Sequence, residues 1–101
     1  MARLKHVVIT VTAGRIGLGG GPVTVSRKAQ EQVCWHCPQG TATIALSPSP
    51  FASERFVVPR GGSTSSGPVI EAPGDYTYSL EVRLDGDRRR YACGPRLVIV
   101  D

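Results

Sequence analysis

Val33-Cys34-Trp35-His36-Cys37 gathers two of the three cysteines, one of the two histidines and the only tryptophan of a 101-residue chain. At the Cys34-x-x-Cys37 spacing, two thiolates can share a metal ion or form a dithiol redox pair, or one of them can form a disulfide with Cys93. Structural zinc needs four ligands in a closed tetrahedron. Cys34, Cys37, Cys93 and His36 supply that number, but no second cysteine pair fixes their spacing. A thioredoxin-like pair needs a helix N-terminus to lower the thiol pKa and a βαβ setting, and neither is visible around these residues. The plainest use of the same stretch is structural: buried cysteine behaves as a small hydrophobe, Trp35 fills a core and His36 faces solvent. No cofactor is therefore expected, and zinc on the four residues named is the alternative.

Other chemistry is sparser. The glycines between Gly14 and Gly21 invite a phosphate-binding reading, but such loops need a following helix whose amides face the phosphate, and Pro22-Val23-Thr24-Val25 opens a strand instead. Six of the eight serines fall in 47–74 without a nucleophile motif, His6 and His36 have no evident partner, and Asp85 and Asp87 flank a turn glycine. No catalytic residue is assigned. Arg88-Arg89-Arg90 precedes Tyr91, and guanidinium forks can hold an anion or an acidic peptide. Alternation puts Arg88 and Arg90 on one face and Arg89 on the other. The expected function is therefore binding of a protein or peptide partner on an open sheet edge, with Arg88, Arg90 and Tyr91 as candidate contacts.

Composition narrows the setting. Twelve Lys and Arg against eight Asp and Glu leave a net charge of +4, a mild excess that aids solubility without making a nucleic-acid signature. No apolar run approaches the ~20 residues that span a bilayer. Residues Met1 to His6 carry no signal-peptide h-region, and an odd cysteine count sits best in a reducing compartment. The expectation is a cytoplasmic monomer or weak oligomer.

The elements that must position these residues are strands. Twelve glycines and eight prolines argue for many turns and little helix. Lys5 to Thr12 is rich in β-branched residues, and 13–21 reads as a loop or broken edge strand. In the strand around Val33, alternation places Val33, Trp35 and Cys37 on one face and Cys34 and His36 on the other. Pro38-Gln39-Gly40 turns the chain into Thr41–Leu46, with Ala42, Ile44 and Leu46 facing in, and the simplest pairing of these two strands is an antiparallel hairpin. Five prolines and a Gly/Ser run make 47–74 a long loop containing one short strand at Arg55–Val58. Tyr76, Tyr78, Leu80, Val82 and Leu84 alternate cleanly with polar residues, Asp85-Gly86 favours a tight hairpin, and Arg96 to Val100 forms a last strand. The sum is one domain over 1–101, an all-β antiparallel Greek-key sandwich of about seven strands.

Pro22-Val23-Thr24-Val25 leading into Val33-x-Trp35, the later Gly74-Asp75-Tyr76-Thr77-Tyr78 strand and an apolar terminal strand together resemble the cupredoxins, with an immunoglobulin-like sandwich as the neighbouring possibility. In that family a Cys follows the Tyr-rich strand, with His and Met beside it, and the four ligands hold copper. Here Leu80 stands where the Cys would come, no His or Met follows Tyr78, and 41–47 lacks the second His. The resemblance thus implies a copper-free relative, and it would bring Cys37 and the segment after Ala92 to the same pole.

Overall fold

A computed structural model describes residues 3–18, 23–84, 90–94 and 96–101. The alternating apolar residues form ten strands among these: β1 (Arg3–Thr12), β2 (Arg15–Leu18), β3 (Val23–Ser26), β4 (Glu31–His36), β5 (Gly40–Leu46), β6 (Arg55–Val58), β7 (Ser63–Ser65), β8 (Gly74–Leu84), β9 (Arg90–Cys93) and β10 (Arg96–Val100). They build two facing sheets, one ordered β2-β1-β4-β7 and the other β3-β10-β8-β5-β6 with β9 also against β8. The protein is an all-β sandwich, as alternation predicts. Among the described residues no helix is long and apolar enough to cross a membrane.

The core lies between the sheets and follows the period of two. Val7, Ile9 and Val11 of β1 and Val33 and Trp35 of β4 face Ala42, Ile44 and Leu46 of β5 and Tyr78, Leu80 and Val82 of β8, all buried. β5 and β8 pair along their length, Ile44 opposite Leu80. At the start of β5 the carbonyl of Arg83 occupies the space a Cβ on Gly40 would need, so only glycine fits that register. β9 and β10 share one antiparallel register along β8, Leu80 opposite Cys93 and Thr77 opposite Arg96.

Three details depart from the sequence reading, and a fourth selects the edge strand from its two readings of 13–21. First, β4 and β5 do not form a hairpin: β4 pairs with β1 and β7, and β5 with β6 and β8, so the chain crosses between sheets at Pro38-Gln39. The Gln39 side chain bridges that crossing, accepting from the Val11 N–H at 2.6 Å and donating to the Val11 carbonyl at 3.1 Å, an amide standing in for the next residue of β4. Second, the sheets are mixed, because β1 pairs with β4 and β3 with β10 in parallel. Third, the Gly/Ser run is not all loop. Residues 63–65 form β7 on the edge of β4, and buried Ser66 fastens it by accepting from the Val33 N–H at 2.9 Å while its own N–H donates to the Val33 carbonyl. Fourth, the glycine-rich 13–21 stretch contains β2, joined to β1 by Ala13-Gly14 with positive φ at both positions, as a two-residue hairpin turn of the right twist requires. The Asp85-Gly86-Asp87 turn lies outside the described residues.

The entry to β4 depends on one carboxylate. Glu31 accepts from the Ser26 N–H at 2.7 Å and pairs with Lys5 on the neighbouring strand at 3.3 Å, and its side chain is only 12% accessible. The Ser26 N–H, and after it Lys5, hold the carboxyl below its ordinary value of 4.5 against the opposing effect of burial. A lowered folded-state pKa stabilises the fold above the unfolded value, and that stability disappears as pH falls through the folded value. Glu31→Gln should therefore cost about 0.5–1 kcal/mol at pH 7, and the gap to the parent should narrow as the pH is lowered below 4. Urea unfolding midpoints at several pH values would show this. A gap independent of pH would refute the assignment.

Candidate metal centre

The outer face of the β2-β1-β4-β7 sheet carries the chemistry. β1 buries Val7, Ile9 and Val11, so His6 and Val8 must point outward; β4 buries Val33 and Trp35, so Cys34 and His36 do too. Parallel pairing then sets His6 directly opposite Cys34 and Val8 opposite His36. The result is a triangle of donors: one nitrogen each from His6 and His36 and the Cys34 Sγ, all within 4.8 Å of one another. The Nδ1 of His6 and the Nε2 of His36 lie 2.9 Å apart, with ring centroids at 5.1 Å. One of these nitrogens donates and the other accepts, so the accepting lone pair is engaged in that bond, and an ion seated between the rings would take the place of the shared proton.

Burial is graded across the group. His6 is exposed, His36 half-buried and Cys34 buried, because Cys34 sits on a central strand between His6 on one side and Ser65 of β7 on the other. Two imidazoles and one thiolate suit zinc and copper, and donors around such an ion lie roughly 3.3–3.8 Å apart, from bond lengths of about 2.0–2.1 Å to nitrogen and 2.3 Å to sulfur. Seating an ion would thus part the two histidines by about half an ångström and draw the thiol inward, which is within the range of side-chain rotation.

Beside the triangle runs a groove of about 350 Å³ lined by His6, Val8, His36, Pro38, Gly61 and Gly62. Its far wall is the turn 59–62, closed by the Gly62 N–H on the Pro59 carbonyl at 2.9 Å and tied to the end of the β4 strand by the Gly61 N–H on the Cys37 carbonyl at 2.9 Å. Gly61 has φ +69°, which glycine reaches without strain, and a Cβ on Gly62 would press on the Pro59 ring. The wall is therefore bare backbone.

Of the four ligands read from the sequence, Cys34 and His36 are brought together; Cys37 and Cys93 are not members of this group. Cys37 follows Val33 and Trp35 to the inner face and is buried in the core, where burial pushes its thiol pKa up against the opposing N–H groups of Gly40 and Gln39. Cys93 stands opposite Leu80 at the open edge of the other sheet. Although its residue is exposed, packing around the thiol also raises its pKa. A raised pKa keeps a thiol protonated and disfavours it as ligand or nucleophile. All three cysteines are free, with no disulfide among them. His6 is the donor of this group that sequence reasoning missed. Its outward placement was legible from Val7, Ile9 and Val11, but the pairing of β1 with a strand some thirty residues on was not. Of the proposed partner contacts, Arg88 lies outside the described residues, Arg90 opens β9, and half-buried Tyr91 packs against the core.

Neither a scan against models of known protein families nor a search of curated proteins finds a match for this chain.

Proposed function

We propose that this chain is a small metal-binding β-sandwich that holds one late first-row transition ion, zinc or copper, through His6, Cys34 and His36. The observation that carries the reading is the convergence of three donors of the right chemistry within 4.8 Å on one sheet face. Residues on paired strands lose little freedom on binding, so such a triangle is well prepared for an ion. Nδ1 of His6, Nε2 of His36 and the Cys34 thiolate would be the ligands, and binding would release the thiol proton. The triangle occupies none of the ligand positions that the cupredoxin pattern implies, so that likeness, supported by Trp35 packing on Tyr78 across the two sheets, stays with a copper-free domain.

A second reading keeps the domain as a copper-free interaction module that binds a protein or peptide partner. It is favoured by Leu4 and Val8, two large apolar side chains left exposed on β1 on either side of His6. Metal titration separates the two. Under the first reading the reduced protein takes up one equivalent of Zn²⁺ or Cu⁺ in competition with a chromophoric chelator, whereas retention of neither ion would leave the interaction reading alone.

A further inference from the structure

Three protein donors leave a late transition ion short of its usual four, and among the described residues no further His, Cys, Asp or Glu joins the group. The two imidazoles that would hold the ion also form one wall of the groove towards Val8, Pro38 and the glycine turn. Resting on the metal-binding reading, we infer that the open coordination position is filled from this groove by an uncharged, flat nitrogen heterocycle of the imidazole class.

Size and lining argue for that class. A groove of about 350 Å³ is roughly ten times the ~30 Å³ share of a water molecule in the liquid, so it is far larger than a hydroxide or halide needs. Its walls are the apolar side chains of Val8 and Pro38, the backbone of Gly61 and Gly62, and the two imidazole rings. An anion would be drawn to the ion itself, but beyond it no Lys or Arg lines the groove and the apolar walls would give a polyatomic anion nothing in return for its lost water. A ring can lie flat between Val8 and Pro38, bury its faces and still present a nitrogen lone pair to the ion, which as a borderline acid accepts imidazole nitrogen readily. The glycine wall adds no side chain to the groove, and the positive φ at Gly61 and the Pro59 ring beside Gly62 both disfavour one there.

The test uses Co²⁺ in place of zinc, because its visible absorption bands report changes in coordination. The reduced chain is loaded with one equivalent of Co²⁺ and titrated separately with imidazole, 4-phenylimidazole and azide. The expected result is a saturable one-to-one spectral shift with imidazole, at least tenfold tighter binding of 4-phenylimidazole because its phenyl group lies on Val8 and Pro38, and at least tenfold weaker binding of azide. A spectrum unmoved by imidazole, azide binding as tightly as the heterocycles, or no gain from the phenyl group would each overturn the groove assignment while leaving the metal site standing. Failure of the chain to bind Co²⁺ at all would overturn both.

Discussion

Replacing Trp35 with alanine is expected to destabilise the domain by about 3–5 kcal/mol, the largest stability effect of any single truncation here. Trp35 is wholly buried on the inner face of β4 and reaches across the sandwich. Its ring packs at 5.2 Å on Phe56 of β6, edge-on at 6.1 Å to Tyr78 of β8 and at 6.4 Å to Phe51. One side chain therefore joins the β4 sheet to the other sheet and to the segment before β6. A loss of this size approaches the whole stability of an ordinary domain, commonly about 5–15 kcal/mol. Trp35→Phe supplies the control. The indole Nε1 is buried near the Tyr78 hydroxyl without a hydrogen bond of good geometry among the described residues, so phenylalanine gives up volume and at most a weak polar contact and should retain more than half of the lost stability. Urea unfolding followed by far-ultraviolet circular dichroism checks both variants, since the fluorescent probe is itself removed. A cost below about 1 kcal/mol for Trp35→Ala would mean that the two sheets are held together elsewhere.

The second large effect is on metal affinity and separates the three cysteines. Cys34→Ser should weaken Zn²⁺ binding by more than about 100-fold, because it deletes a first ligand where even the loss of a supporting neighbour commonly costs 10- to 100-fold. His6→Gln should weaken binding to a similar degree although it lies far from the Cys-x-x-Cys stretch in sequence. Cys93→Ser should leave affinity and fold intact. Cys37→Ser should lower stability by placing a hydroxyl in an apolar core, at about 1–3 kcal/mol, without removing the metal site. Chelator competition on the four variants, with unfolding curves alongside, reads out each of these. If Cys37→Ser or Cys93→Ser abolished binding along with Cys34→Ser while His6→Gln did not, the ligand set read from the Cys-x-x-Cys spacing would stand in place of the triangle on the sheet face.

Local patterning was enough to establish the strands and their faces. The alternation of Val33 and Trp35 against Cys34 and His36, of Ala42, Ile44 and Leu46, and of Tyr78, Leu80 and Val82 is a property of neighbouring residues, and burial follows it except at Cys34, an outward residue on a central strand. It also assigned Cys37 to the inner face. The hidden strands were harder to read: β7 is a run of Ser and Thr whose pairing comes from backbone groups and Ser66, not from apolar side chains. Its polar residues therefore looked like loop.

Which strands become neighbours was beyond that patterning. A short turn at Pro38-Gln39-Gly40 suggests a hairpin, yet the apolar faces on both sides of it are better buried when the chain crosses to the opposite sheet and Gln39 completes the ladder of β1. Parallel pairing of β1 with β4 leaves no local mark, because it joins segments whose contact is decided by packing of the whole molecule. Residues 33–37 alone determined that Cys34 and His36 share a face turned away from Trp35. Only the tertiary structure decided that the third donor on that face is His6, because side-chain direction is set by the chain's own two-residue period, whereas proximity across strands is set by long-range burial.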